Sequence, residues 1–415
     1  MVKISLASWW MMLTTMPTTC RSFSTIMVPA RYNNNKEFLT SSSSSSQLYN
    51  VPPPGIDADA STLKEASDRE SPPSSFYELQ INSARAAELA IRDGYRLIEV
   101  EFPPLPAQVL EMDDVSAYDV AEANLKLAID FAKSFAAKTN TESSSTVVDS
   151  TTASTDSELD SNYSSNNNAK IVKLPRKVAI MLPDESEYKI AIENLGNTAN
   201  PYPGVTVSAL RRSDPRDERF FKPEQVFMSL MGNKSGGIIQ PIDGVDMYVC
   251  IVASAQELPD IEELYDLLGD DKIICFYNLK LDVLRGDLGA PAFPPREFQD
   301  RFLSKVKPVY YLRTRQYSRS TAQPPFMVNY QGCLFRSYPG QFQTLLDTGT
   351  GKYRRVKGND VRPALGEFKE ELTDALRDEG IIQKEGNVLN FLRTGYKTTT
   401  WWEEERDDAS DSWKT

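Results

Sequence analysis

The sequence of 415 residues contains no histidine. Ser-His-Asp and Cys-His catalysis, histidine general bases and histidine-containing metal sites all need an imidazole, so this absence excludes them. Cysteine is scarce as well, and no two of the four cysteines have the close spacing of a zinc or redox pair. Cys250 and Cys275 lie in apolar segments, which predicts buried, unreactive thiols and a reducing compartment. We therefore predict no metal site.

The chain also lacks the two common phosphate-binding motifs. The segment Gly232-Asn-Lys-Ser-Gly-Gly237 has the lysine and serine of a P-loop but the wrong glycine spacing. After the first predicted strand the chain reads Phe102-Pro-Pro-Leu-Pro106, where a dinucleotide-binding fold would have its glycine-rich turn. We therefore predict no cofactor.

Long hydrophobic segments are missing from the chain after its N-terminal region. None reaches the ~20 apolar residues that a transmembrane helix needs, so we expect at most peripheral membrane association. The formal net charge of −12 argues against a nucleic-acid partner, since such binding depends on basic surfaces.

Residues 1–48 have the composition of a two-part targeting leader. Residues 1–13 combine Lys3 with a short apolar run, as a signal peptide does, and small polar residues follow as far as Cys20. From Arg21-Ser-Phe23 onward the chain is basic, rich in Ser, Thr and Asn and almost free of acids, as transit peptides are. Such a leader is typical of secondary plastids, although a secretory signal and a mitochondrial presequence remain open alternatives.

Two further segments, 49–73 and 139–170, are too polar to bury a core, and we predict a disordered linker and a disordered insert. The remaining part of 74–380 alternates apolar strand patterns with helical periodicity. This alternation predicts a single α/β domain with a mostly parallel, doubly wound sheet. Predicted helices span 74–92, 115–138, 185–195, 222–231, 258–268 and 296–306. Predicted strands span 95–102, 176–182, 205–210, 246–252, 272–277 and 308–312.

The end of the chain changes character. Three short strand patterns, 332–338, 341–346 and 352–356, are separated by Pro339-Gly340 and by a Gly- and Thr-rich turn, which predicts a C-terminal antiparallel meander. A final helix is predicted over 363–377. Residues 381–415 carry many acids after Trp401-Trp402, and we predict an exposed acidic tail.

Polar side chains follow four of the predicted parallel strands. In an open parallel sheet, ligands bind beyond the carboxyl ends of the strands, because loops and helix N-termini converge there. These side chains could therefore line a pocket for an anionic or hydroxyl-bearing ligand. Alternatively, the first of them caps a helix and the asparagine closes a turn. The candidate ligand-binding residues are Asp184, Glu185, Ser254, Asn278 and Arg313.

The corner after the first strand of the meander is a candidate interface. A strand that ends in Pro-Gly could present Arg336 and Tyr338 outward, and both residue types are enriched at interface hot spots. In the alternative interpretation, Pro339 and Gly340 only provide the turn geometry and Tyr338 is buried. Catalytic residues remain unknown in either interpretation.

Five phrases, taken together, resemble one family. They occur in order over about 74–377, and the chain resembles the domain of unknown function 1995 of plants and algae, which includes a chloroplast protein named for low photosystem II accumulation. Gln341 and Phe342 depart from the usual Pro and Trp of the pattern. The phrases are Val100-Glu-Phe-Pro-Pro104, Leu182-Pro-Asp-Glu-Ser-Glu187, Phe276-Tyr-Asn-Leu-Lys-Leu-Asp282, Val309-Tyr-Tyr-Leu312 and Leu334-Phe-Arg-Ser-Tyr-Pro-Gly-Gln-Phe342 with Arg362-Pro363.

The resemblance implies a plastid auxiliary factor, not an enzyme, that assists photosystem II assembly through protein contacts. The implied partners are photosystem II subunits or the thylakoid insertion machinery. The implied location is the plastid stroma or the thylakoid surface. A small-molecule or phosphate-ligand-binding enzyme, with its pocket at the carboxyl ends of the strands, is the alternative that the residues themselves support.

Overall fold

The computed structural model describes residues 59–136, 174–212, 237–382 and 399–415, apart from positions 111, 113, 114, 270, 322, 323, 325, 350, 351 and 408. All of these residues belong to one compact unit, Pro53–Thr415. The predicted leader, the predicted insert and the predicted helix over 222–231 lie outside the described residues.

Six parallel strands form the larger part of a nine-stranded sheet. In their order across the sheet they are β3 Val205–Ala209, β2 Val178–Leu182, β6 Met247–Cys250, β7 Ile273–Tyr277, β1 Leu97–Glu101 and β8 Lys307–Ser320. Most of them are short apolar runs buried on both faces, which is the sequence pattern that favours a parallel sheet between helices. The prediction of a doubly wound α/β fold is confirmed. A separate two-stranded ribbon pairs β4 Arg211–Arg212 with β5 Ile238–Ile239.

The predicted antiparallel meander is confirmed and extends the same sheet. β9 Met327–Ser337, β10 Phe342–Asp347 and β11 Tyr353–Asn359 follow β8 in order, each antiparallel to its neighbour. The strand predicted over 308–312 continues to Ser320. Its second half is polar and has no apolar pattern that would predict a strand. This segment is a strand because it pairs with β9 as far as Ser320↔Met327.

Helices cover both faces of the sheet, and no helix among the described residues is long and apolar enough to cross a membrane. The helices are α1 Ala60–Asp68, α2 Phe76–Arg92, α3 Ala107–Leu110, α4 Ala117–Ala136, α5 Glu185–Asn194, α6 Leu258–Leu268, α7 Leu281–Asp287, α8 Glu297–Arg301 and α9 Leu365–Asp378. One face of the sheet packs against α2, α4 and α5, the other packs against α6, α7 and α8, and the meander packs against α9.

Two expectations about which segments are ordered are wrong, and one helix was not predicted. Residues 60–68, predicted as part of a disordered linker, form α1, whose Leu63 is buried against the core. Helix α7 was not predicted, because seven residues are too few to show a helical period. The C-terminal tail is not an exposed arm, since Trp402 and Trp413 are buried. Tryptophan offers enough apolar area to anchor even an acidic segment.

The three cysteines within the described residues are unpaired and buried, which confirms the prediction of buried thiols for Cys250 and Cys275. Burial raises the pKa of Cys250 and of Cys333 to about 12, so both thiols are neutral at physiological pH.

Candidate functional site

Ionisable side chains converge at the carboxyl ends of β1 and β7, against the adjoining part of β8. Asp282 lies in the first turn of α7, directly after β7. We call the group around it the Asp282 cluster. Its members are Glu99, Glu101, Asp282, Arg285, Tyr311, Arg313, Arg315 and Arg362.

Asp282 is the centre of the cluster and is almost fully buried. Its Oδ2 accepts hydrogen bonds from Tyr311 Oη at 2.7 Å, from Arg313 Nη1 at 3.0 Å and from Arg362 Nη2. Its Oδ1 accepts from Arg285 Nη1 at 3.1 Å. Burial alone would raise the pKa of Asp282, but the surrounding guanidinium groups outweigh it and hold this pKa well below its ordinary value. Asp282 is therefore ionised at neutral pH.

Two tryptophans of the tail cover the cluster. The guanidinium carbon of Arg285 lies 5.6 Å from the ring centroid of Trp402 and 5.1 Å from that of Trp413. Arg362 stacks on Tyr311, with 4.5 Å from its guanidinium carbon to the ring centroid. Such cation–π contacts stabilise buried guanidinium groups without neutralising their charge.

Glu99 and Glu101 point from β1 toward the same cluster, because alternate residues of a strand share a face. No described residue donates a hydrogen bond to either carboxylate oxygen of Glu99. Glu101 Oε2 accepts one hydrogen bond, at 2.9 Å from the backbone nitrogen of Lys280. Burial, and then the proximity of Glu99, raises the pKa of Glu101 to about 7. Burial also raises the pKa of Glu99, so the neutral form of both carboxyls is favoured.

The backbone is strained along the same edge of the sheet. Val252, Asn278 and Lys280, which follow β6 and β7, have φ angles of 61°, 51° and 54°. Residues other than glycine seldom adopt this left-handed conformation, and for a β-branched valine it is a genuine outlier. Strain of this kind concentrates at functional sites, where the surrounding structure enforces it.

Among the predicted ligand-binding residues, only Arg313 belongs to the cluster. Asp184 caps α5, since its Oδ1 accepts from the backbone nitrogens of Ser186 at 2.8 Å and Glu187 at 3.0 Å. Glu185 lies in the first turn of that helix, 3.9 Å from Lys189. At the end of β2, the alternative interpretation, in which Asp184 caps a helix, is therefore confirmed.

Ser254 and Asn278 also have local partners. The backbone nitrogen of Ser254 donates to Glu257 at 2.8 Å. Asn278 Oδ1 accepts from the backbone nitrogen of Phe102 at 2.9 Å, and its Nδ2 donates to Asn124 Oδ1 at 2.9 Å. Asn278 thus connects β7 to the end of β1 and to α4.

The corner predicted as an interface is turned inward. Arg336 and Tyr338 are buried, Pro339 is half-buried and follows a cis peptide bond, and Gly340 is buried. The outward presentation that a docking turn requires is therefore not found. The cause is α1, which the sequence did not predict: a Cβ on Gly340 would lie 2.8 Å from the backbone carbon of Ser67.

Few features of the sequence indicated the members of the cluster. Glu99 and Glu101 were the available signal, because two carboxyls within a strand buried on both faces need a compensating environment. Four of the five phrases that carried the family resemblance contain or adjoin members of the cluster: Val100–Pro104, Phe276–Asp282, Val309–Leu312 and the last phrase, with Arg362-Pro363. The described residues contain no group of acidic or cysteine side chains placed to bind a metal ion.

Comparison with known proteins gives one match. The sequence model of the family described as Domain of unknown function (DUF1995) matches residues 73–370, close to the span over which the resemblance was found. No curated protein and no solved structure matches the chain.

Proposed function

We propose that this chain, which belongs to the family described as Domain of unknown function (DUF1995), binds a small anionic ligand at the Asp282 cluster. The observation that supports this proposal is an excess of guanidinium groups. Four arginines lie within 4.0 Å of one carboxylate that is held ionised. Desolvated charges need counter-charges, and Glu99 and Glu101 are poor ones because burial favours their neutral forms.

The arginines differ in exposure, and this difference indicates which of them a ligand from solvent would contact. The side chains of Arg285 and Arg362 are 0% and 5% exposed, whereas those of Arg313 and Arg315 are 20% and 26% exposed. The outer two can contact a ligand from solvent, while the inner two hold Asp282 in place. A guanidinium group presents a planar fork of donors, which fits the two oxygens of a carboxylate or phosphate.

Glu101 lies close to the proposed ligand and titrates near neutrality. An anion bound beside it would disfavour its carboxylate form and raise its pKa further above about 7. Binding should therefore take up a proton, and affinity should increase as the pH falls through 7.

The test is a thermal-shift and calorimetric titration of the full chain with the dicarboxylate succinate. The variant Arg313→Gln/Arg315→Gln should lose the ligand-induced rise in Tm. The matched control is Arg354→Gln, which changes an arginine on β11 that is 43% exposed and pairs with Glu379 at 2.8 Å. An undiminished shift in the double variant, or no shift in the wild-type chain, would refute the proposal.

A second candidate function is supported by exposed apolar side chains at the start of α2. Tyr77 is 78% exposed and Ile81, one turn later on the same face, is 48% exposed, with Phe76 beside them. We propose this face as the contact surface of a plastid assembly factor. The partners implied by the family resemblance are photosystem II subunits or the thylakoid insertion machinery.

This second proposal is tested by affinity capture from plastids. The wild-type chain should recover photosystem II or insertase components, and Tyr77→Glu/Ile81→Glu should not. Leu267→Glu, on α6, is the control, because Leu267 is also an apolar helix residue and is 52% exposed. Capture of neither component by the wild-type chain would contradict it.

The plastid location is part of the same proposal and has its own test. Residues 1–48 fused to a fluorescent protein should direct it to the plastid in an alga with secondary plastids. Deletion of 21–48 should stop it at an earlier compartment, because the signal peptide alone would remain. Export of the complete fusion from the cell would contradict a plastid address.

A further inference from the structure

Two buried cations lie beside the Asp282 cluster, where β8 begins and β9 ends. Lys307 is the first residue of β8, and Arg336 is the penultimate residue of β9. They are 5% and 4% exposed. Lys307 Nζ and the guanidinium carbon of Arg336 each lie 5.8 Å from the ring centroid of Tyr338, so both charges contact the same phenol ring. We call these residues the Lys307–Arg336 pair.

The pair has few polar partners. Lys307 Nζ donates to Thr415 Oγ1 at 3.2 Å, and Arg336 Nε donates to the carbonyl oxygen of Gly340 at 3.1 Å. The Nη1 atom of Arg336 is buried and has no hydrogen-bond partner among the described residues. Burial lowers the pKa of Lys307 to about 8 and that of Arg336 to about 10.

No carboxylate of the described part of the chain forms an ion pair with either cation. The acids nearby have other partners: Asp68 accepts from the backbone nitrogen of Gln341 at 2.6 Å, and Asp93 accepts from Tyr338 Oη at 2.6 Å. This absence stands out in a chain with 58 acidic and 46 basic residues. Two adjacent desolvated cations also repel each other, which adds to the cost of burying them.

We propose that the Lys307–Arg336 pair binds a tetrahedral oxyanion, a phosphate or sulfate group that is either a free ion or part of a larger ligand. The ammonium group of Lys307 has two N–H donors beyond the one that Thr415 receives, and Arg336 Nη1 adds another. Donors from two side chains match an ion with several oxygens better than they match a halide.

An anion would approach the pair beside Thr415. Thr415 is exposed, and its hydroxyl is the one hydrogen-bond partner of the Lys307 ammonium among the described residues. The rings of Tyr95 and Tyr338 contact the same ammonium, with centroids 4.8 Å and 5.8 Å from Nζ. An oxyanion would then replace a neutral hydroxyl oxygen by a charged one and bring a counter-charge to both cations.

The site is independent of the proposed function, and the experiment separates the two. Tm of the full chain is measured against low-millimolar sodium phosphate, sodium sulfate and methyl phosphate, with chloride at equal ionic strength as the reference. Wild-type chain should gain roughly 3 °C at about ten times the dissociation constant. Arg313→Gln/Arg315→Gln should keep this gain, whereas Arg336→Met and Lys307→Met should lose it.

A second measurement does not depend on how the variants fold. The pKa of Lys307, followed by NMR of the labelled lysine side chain, should be about 8 in chloride and clearly higher in phosphate. A shift with the inorganic ions identifies a free-ion site, and a shift with methyl phosphate alone identifies an ester-binding site. An unchanged Lys307 pKa in all three anions, or a gain in Tm that Arg336→Met retains, would overturn the inference.

Discussion

The Asp282 cluster and the Lys307–Arg336 pair bury the same type of side chain, and the pKa values of Arg362 in the first and Arg336 in the second shift in opposite directions. Burial favours the neutral form of Arg362 and of Arg336 alike. For Arg362 the carboxylate of Asp282 outweighs burial and raises the pKa above its ordinary value. Arg336 has no such partner, and burial lowers its pKa to about 10. Arg285 also pairs with Asp282, yet burial lowers its pKa, so the counter-ion stabilises a buried arginine here only where it outweighs burial.

The largest expected effect comes from removing that counter-ion. Asp282→Asn removes the carboxylate bonded to the buried Arg285 and Arg362 and to the partly buried Arg313, and should reduce the free energy of unfolding by about 3–5 kcal/mol. Chemical denaturation measures this loss. Asp287→Asn, at the end of the same helix, is the control and should change stability by less than about 0.5 kcal/mol. Equal losses in the two variants would show that Asp282 is not the counter-ion.

The tail covers both regions, and its anchor can be removed. Trp413 stacks near Arg285 and Arg362, and its backbone nitrogen donates to Ser304 at 3.2 Å. Trp413→Ala should cost about 3 kcal/mol and increase hydrogen exchange in residues 399–415. Trp401→Ala should cost less, because Trp401 is only half-buried. Unchanged exchange in Trp413→Ala would mean that the tail is held by other contacts.

A direct contrast between the two regions comes from neutral replacements of one cation in each. Arg362→Met should lower the free energy of unfolding by about 2 kcal/mol, because Asp282 loses a bonded partner. Lys307→Met, measured in chloride, should lose little or become more stable, since it removes a buried charge without an acidic partner. Denaturation midpoints of both variants at pH 7 test this. A larger loss for Lys307→Met would reverse the comparison.

The last expected effect is a change in how stability depends on pH, rather than in stability at one pH. The pKa of Glu101 is about 7 in the folded chain and near 4.5 in the unfolded chain, so its contribution to stability is complete below about 4.5 and is lost as the pH rises to 7. Glu101→Gln should therefore flatten the fall in stability over this range. Denaturation at several pH values detects it, and a slope equal to that of the wild-type chain would mean that Glu101 titrates normally.

The order of most elements could be predicted because their signals are local. The helix predicted over 258–268 is α6, Leu258–Leu268, and the strand predicted over 272–277 is β7, Ile273–Tyr277. Apolar periodicity and breakers determine such segments within a dozen residues. The second half of β8 has no such signal, and α1 is too short and polar to show one. Both owe their conformation to the segments they pack against.

The candidate site was predictable only in part, for a related reason. The rule that ligands bind at the carboxyl ends of parallel strands identified the correct edge and Arg313. It could not distinguish Asp184, which caps a helix, from Asp282, which forms ion pairs with several arginines. The distinction depends on residues far away along the chain, such as Arg362, which is 80 positions from Asp282.

The sequence by itself determined the absence of histidine chemistry, the α/β alternation and the family, because composition, periodicity and motif order are properties of the chain alone. Only the tertiary structure decided which charges are buried together and which of them have a counter-ion. Asp282, Arg336 and Lys307 are ordinary ionisable residues until the sheet, α1 and the tail remove them from water. Their pKa values, and the ligands we propose for them, follow from that removal.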